Sequence, residues 1–151
     1  MFTTVRYFIK TSITFLVLGI LAGAYASVSA NIFHEPVMPG FISAHTHVII
    51  IGSIMMMIMG VALWFFPRAE KEDTKYNPDR IKIIYWLMTV STGGRFVCQI
   101  ANSFLTQAPL GVLIVLFSIG QGVGMLWFFY SIWGRIRAVG SQYREAKGEK
   151  F

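Results

Sequence analysis

An uncharged apolar segment with two histidines at one end is the feature that most constrains how this chain folds. Residues 48–66 contain no charged side chain, and a helix of that length crosses the hydrocarbon core of a bilayer. His45 and His47 lie one to two turns inside the end of this helix, which starts at about Phe41. Imidazole is costly at membrane depth unless it binds something, so both histidines are candidate functional residues.

The composition also indicates a membrane protein. Charged residues make up 13% of the 151 residues, whereas soluble domains contain about 25%. The formal charge of +6 does not indicate a nucleic-acid partner, because the basic residues flank the apolar segments instead of forming one patch. Cys98 is the single cysteine, which excludes an intrachain disulfide.

We predict an all-α fold, an integral membrane four-helix bundle that forms one transmembrane domain over residues 1–151. The small residues at 26–30 also fit a signal-peptidase site, so removal of the first apolar segment is an alternative. The predicted elements are helices at about 11–30, 41–66, 83–105 and 110–133, a charged loop at 67–82 and a polar tail at 135–151.

The distribution of Lys and Arg predicts the orientation in the membrane. Of the 13 basic residues, two precede the first helix, five lie in the charged loop, five follow the fourth helix, and the last is Arg95. The other two connections contain none, so the positive-inside rule places both termini in the cytoplasm. We therefore expect a multi-pass protein of a bacterial inner membrane, with His34, His45 and His47 toward its outer face.

His45 and His47 are predicted to face different neighbours. Successive residues of an α-helix are rotated by about 100°, so these two side chains point about 200° apart. They cannot bind one metal ion from the same regular turn. Either one of them serves a site or each serves a different site, and the alternative is that both are hydrogen-bonded interfacial histidines.

Arg95 is a further candidate functional residue, because its charged side chain lies inside the third predicted helix. Gln99 and Asn102 follow it at spacings of four and seven residues, which puts the three polar side chains on one helix face. The predicted spans contain no Asp or Glu, so a buried guanidinium here needs another anion, such as a haem propionate. The alternatives are hydrogen bonds to helix-end carbonyls or snorkelling to water.

Three stretches around the second predicted helix resemble a known family. They are Ala44-His45 with the apolar run 48–51, the methionine-rich run 55–60, and the closing Phe-Pro-Arg at 66–68. They resemble the second transmembrane helix of subunit I of haem-copper oxygen and nitric-oxide reductases, and most closely the short subunit I-like membrane proteins related to them. The resemblance implies a b-type haem (haem b) in the outer half of the bundle, with His45 as an axial ligand.

The same resemblance makes His47 the second-choice ligand. The polar face of the third helix, and not the resemblance, makes Arg95, Gln99 and Asn102 the expected partners of the haem propionates. The candidate metal ligands are His45, His47 and His34. A weaker similarity lies in the Gly-Gly-Arg at 93–95.

The chain departs from that family in ways that limit its function. A catalytic subunit I has many more helices and a separate histidine cluster, whereas the three histidines here lie between positions 34 and 47. A binuclear copper centre therefore cannot be built from this chain. A sixth haem ligand must come from His34, from Met38 or from a second copy of the chain, or be absent. A vacant sixth position would bind a small gas such as O2 or NO, whereas two protein ligands would favour electron transfer.

The expected partners are the lipid bilayer, further copies of the chain in a homo-oligomer, and a respiratory-chain protein. Two other functions stay open. The methionines at 55–57 and 59, with the His-x-His pair, would also suit a copper-handling or transport protein. The third function is a cofactor-free accessory subunit of a respiratory complex. Gly19 and Gly23, four residues apart, predict close approach of another helix to the first one.

Overall fold

The computed structural model describes residues 2–67, 75–105 and 108–137, together with residues 140, 144, 147 and 148. These residues form four helices and no strand, which confirms the predicted all-α, four-helix architecture. The helices are α1 (Phe2–Asn31), α2 (Pro39–Phe65), α3 (Pro78–Leu105) and α4 (Ala108–Ile132), and a short 3₁₀ turn at Trp133–Arg135 follows.

Three of the four helices are long and apolar enough to cross a membrane. Within the described residues these spans are Thr3–Asn31, Pro39–Phe65 and Pro109–Arg135. α3 has 28 residues and is long enough, but its polar and charged side chains keep it out of this group. The prediction that α3 also spans the membrane therefore stays a prediction.

Two helices begin earlier than the apolar runs of the sequence predict. α1 begins at Phe2 instead of about residue 11, because Val5 and Phe8 are buried in the core while the charged Arg6 and Lys10 stay exposed. α3 begins at Pro78 instead of about residue 83. Residues 68–74 of the predicted loop and most of the predicted tail lie outside the described residues.

Consecutive helices run antiparallel, with glycines where their backbones come close. Gly60 of α2 lies against Phe8 and Ile9 near the start of α1, whereas Gly23 near the end of α1 lies against His45. The contacts between α2 and α3, and between α3 and α4, follow the same up-and-down order. They are Gly40 with Ser103, Gly52 with Thr92, Gly120 with Ser91, and Gly124 with Met88.

This arrangement gives the bundle two different ends. The basic end carries the exposed side chains Arg6, Lys10, Arg80 and Lys82, and the opposite end carries the connection formed by residues 32–38. The core is richest toward the basic end. Its side chains that are fully buried there include Phe8, Met56, Met59, Ile84, Met88 and Phe128.

α2 changes its helical pitch in the middle. Residues Val48–Met55 form a π-helix between the α-helical segments Pro39–His47 and Met56–Phe65. π-helical turns are wider than α-helical ones, rare, and frequent at functional sites. Gly52 lies inside this segment, where a Cβ atom would be 2.8 Å from Cγ2 of Thr92 and 2.9 Å from Cγ of Phe15. The wide turn is therefore packed tightly between α1 and α3.

A buried arginine joins the end of α4 to the end of α2. Arg135 is 1% exposed, and its Nε donates a hydrogen bond to the carbonyl of Pro67 at 2.8 Å. Its Nη2 donates to the carbonyls of Leu63 and Phe66 at 3.1 and 3.0 Å. These carbonyls are left without helical partners where α2 ends, so Arg135 caps α2 from a different helix.

Candidate functional site

The imidazole of His45 lies between α2 and α1 and is held in one orientation. Its Nδ1 is 2.8 Å from the carbonyl oxygen of Gly19, and the side chain is half-buried. A carbonyl oxygen only accepts hydrogen bonds, so Nδ1 carries the hydrogen and donates it. In the neutral ring the lone pair is then on Nε2, which is the state of a histidine that binds a metal.

Gly23 provides the space in which this ring lies. A Cβ atom at position 23 would be 2.8 Å from Cε1 of His45 and 3.4 Å from its Nε2. Gly19, one turn earlier, gives the same close approach to Ile49 of α2. The predicted close approach of a helix to these glycines is thus confirmed, and the structure identifies α2 as that helix. What the sequence did not predict is that Gly23 faces His45.

His47 is directed away from this contact. It is half-buried at the end of the Pro39–His47 segment, which packs on α3, the helix that carries Arg95. His45 and His47 therefore meet different helices, as their angular separation predicts. They do not converge on a shared metal ion.

Arg95 is half-buried and bonded to two neutral amides. Its Nε donates to Oε1 of Gln99 and its Nη1 donates to Oε1 of Gln121 on α4, both at 3.3 Å. Gln121, which is 4% exposed, also donates from Nε2 to Oγ1 of Thr92 at 3.1 Å. Among the described residues no carboxylate pairs with Arg95.

The predicted partners of Arg95 are only partly brought together. Gln99 contacts it, whereas the half-buried Asn102 makes no hydrogen bond to either residue within the described part of the chain. Gln121 is a partner that sequence reasoning missed. The sequence feature that could have identified it is that Gln121, between Gly120 and Gly122, is the one side-chain amide within α4. Within the part of the chain that the structure describes, Arg95 binds no helix-end carbonyl, whereas Arg135 binds three.

His34 has a structural role at the end of α1. It is exposed and adopts a left-handed backbone conformation with φ of 54°. This turn lets the amide of Glu35 donate to the carbonyl of Ser29 at 3.1 Å, which satisfies the last turn of α1. No group of three or more His, Cys, Asp or Glu side chains within the described residues could hold a metal ion.

Two cavities are small and lie away from these side chains. One, of about 80 Å³, lies at the 32–38 end and is lined in part by Tyr25, Glu35 and Phe41. The other, of about 10 Å³, lies at the basic end beside Tyr76. Neither is lined by His45, His47 or Arg95, and neither could enclose a porphyrin.

Comparison with known proteins identified no relative of this chain. No protein-family model, no curated protein and no solved structure matches the chain. The resemblance to haem-copper subunit I therefore rests on residues 44–68 and, more weakly, on residues 93–95, and it stays a prediction.

Proposed function

We propose that the protein binds a b-type haem in the membrane, with Nε2 of His45 as an axial ligand. The observation that carries the proposal is the hydrogen bond from Nδ1 of His45 to the Gly19 carbonyl. It sets the tautomer and the ring orientation that an iron ligand needs. When bound, haem would supply one-electron redox chemistry and, at a vacant axial position, binding of a small gas.

The haem would lie on the flank of the bundle, not inside one chain. His45 is half-buried at the edge between α1 and α2, and the cavities described above are too small for a porphyrin. A planar ligand on this flank would be covered by lipid or by a second copy of the chain. A homo-oligomer with haem between its protomers is therefore part of the proposal, and the second copy could then provide the sixth ligand.

Arg95 and Gln99 are the proposed partners of the haem propionates, with a smaller part for Asn102. Gly40 packs against Ser103 and Gly52 against Thr92, so the two histidines lie level with the stretch of α3 that contains Arg95. Among the described residues the guanidinium bonds only to neutral amides, at 3.3 Å, and charge-assisted bonds to a carboxylate are stronger. His45 faces α1, whereas Arg95 belongs to α3. A single haem would therefore contact both the imidazole of His45 and the guanidinium of Arg95 only if it extended across the edge of α2.

Haem content of purified variants tests the ligand assignment. We expect the wild-type protein to have a Soret band and a b-type pyridine haemochrome spectrum, and His45→Ala to lose the haem. His47→Ala is the matched control, because it removes an imidazole two residues away that faces α3, and we expect it to retain haem.

Two results would contradict this proposal. If His45→Ala keeps a full complement of haem, the assignment of His45 as the ligand is wrong, whether or not His47→Ala keeps it. A colourless wild-type protein would reject haem altogether: stoichiometric copper in that protein would support copper handling, and absence of both would support a cofactor-free accessory subunit.

A further inference from the structure

The 32–38 end of the bundle contains a cavity that the proposed haem does not use. Its volume is about 80 Å³, and it lies between the last turns of α1, the start of α2 and the end of α3. Three polar side chains, Tyr25, Ser29 and Glu35, line it together with the rings of Phe41 and Phe104. The ring centroids of Tyr25 and Phe41 are 5.3 Å apart. The cavity thus combines a carboxylate, two hydroxyls and three aromatic rings.

The polar groups of this cavity have no partners within the described part of the chain. Ser29 is 8% exposed, yet its hydroxyl makes no hydrogen bond to another described residue. The phenol of Tyr25 and the carboxylate of Glu35 also make none there. The Ser29 hydroxyl is not one of the buried polar atoms that lack a partner, so it opens onto the cavity and can bond to a polar ligand there.

The cavity lies at the level where lipid headgroups are expected. Tyr25 and Phe104 are 54% and 58% exposed, and aromatic side chains are enriched at the boundary between hydrocarbon and headgroups. Both residues are also close to the ends of helices, Asn31 for α1 and Leu105 for α3. A phospholipid in the adjoining leaflet could therefore place its headgroup here and its acyl chains along the bundle.

We propose that this cavity binds the headgroup of an ethanolamine phospholipid. The Glu35 carboxylate would accept hydrogen bonds from the ammonium group, which the surrounding aromatic rings also attract. The hydroxyls of Ser29 and Tyr25 would donate to the phosphate oxygens. A zwitterionic headgroup satisfies both kinds of polar group, whereas an anionic glycerol headgroup would bring a phosphate to Glu35 without a cation.

Hydrogen bonding distinguishes ethanolamine from choline. The ammonium of ethanolamine carries hydrogens that it can donate to the Glu35 carboxylate. The quaternary nitrogen of choline carries none, so it offers Glu35 its charge without a hydrogen bond.

Lipid binding measured by native mass spectrometry tests the proposal. Detergent-solubilised protein is titrated with phosphatidylethanolamine, phosphatidylcholine or phosphatidylglycerol of identical acyl chains. We expect ethanolamine lipid to bind about tenfold more tightly than the other two, since its ammonium makes a charge-assisted hydrogen bond to Glu35. Glu35→Gln should remove this preference. Asp79→Asn is the matched control, because it neutralises an exposed carboxylate at the basic end and should keep the preference.

A second variant tests the aromatic wall of the cavity, and a soluble competitor tests whether the acyl chains contribute to binding. Phe104→Leu removes an exposed ring and should weaken ethanolamine binding while leaving the unfolding temperature without lipid unchanged. Equal binding of the three lipids, an unchanged preference in Glu35→Gln, or full displacement of the lipid by an equal concentration of soluble phosphoethanolamine would each overturn the proposal. The measurement does not depend on haem, because lipid adducts are resolved on haem-free protein as well.

Discussion

The position of the His45 ring depends on a residue that has no side chain. Gly23 gives the imidazole a flat backbone surface, and the carbonyl oxygen of Gly19 accepts a hydrogen bond from its Nδ1. These two glycines are one turn apart on α1, so a single helix face both positions the ring and sets its tautomer. His45, the proposed haem ligand, belongs to α2, but its ring position and tautomer are set by α1.

The substitution Gly23→Ala should displace His45 without changing its chemistry. Its Cβ atom would lie 2.8 Å from Cε1 of the ring, and overpacking of this kind costs about 1–3 kcal/mol. We expect lower haem retention and a lower unfolding temperature in detergent, measured by Soret absorbance and thermal unfolding.

Gly122→Ala is the control for Gly23→Ala, because a Cβ at position 122 would meet no described residue within 4 Å beyond its own stretch of helix backbone. Alanine favours the helix by up to about 1 kcal/mol over glycine, so this variant should keep its haem and its stability. Equal behaviour of the two variants would contradict the role given to Gly23.

The separation of two interacting residues along the sequence determines whether the sequence could predict their contact. The divergence of His45 and His47 is a property of one helix, so helical periodicity predicts it. The contact between Arg95 and Gln121 joins residues 26 positions apart on two helices, and no local pattern identifies that pair. Gly19 and Gly23 are an intermediate case, because their spacing predicts a close helix but not which side chain lies there.

At the scale of helices, the apolar runs predict the number of elements better than their ends. α1 includes Arg6 and Lys10 because their exposed side chains leave Val5 and Phe8 free to pack inside, a distinction that a hydropathy average hides. The π-helical segment of α2 could not be predicted either. It depends on how Gly52 fits between Phe15 and Thr92, which belong to two other helices.

Arg135 should stabilise the junction between α2 and α4 more than any exposed arginine does. It is buried and donates to three carbonyls where α2 ends. Removal of a buried charged donor leaves those acceptors without partners, so Arg135→Ala should lower the free energy of unfolding by about 3 kcal/mol. Arg6→Ala, at an exposed position on α1, should change it by less than about 0.5 kcal/mol. Chemical denaturation in detergent measures both, and similar values would contradict the capping role.

At the scale of the whole molecule, the two ends of the bundle differ in charge and in chemistry. The basic end holds the exposed arginines and lysines, whereas the opposite end holds Glu35, exposed aromatic rings and the connection 32–38. The positive-inside rule therefore favours the basic end in the cytoplasm. His45 and the proposed lipid site would then both lie in the outer half of the membrane.

Cysteine labelling tests this orientation and decides whether α3 spans the membrane. The single native thiol is first removed as Cys98→Ser, and one cysteine is then introduced as Phe33→Cys, Leu105→Cys or Lys75→Cys, all at exposed positions. If four helices cross the bilayer, a membrane-impermeant maleimide should label positions 33 and 105 in intact cells and position 75 only after permeabilisation. Labelling of 105 only after permeabilisation would mean that α3 does not cross, because its end would then share a side with position 75. Labelling of 75 in intact cells would reverse the orientation, and would move the His45 site toward the cytoplasm.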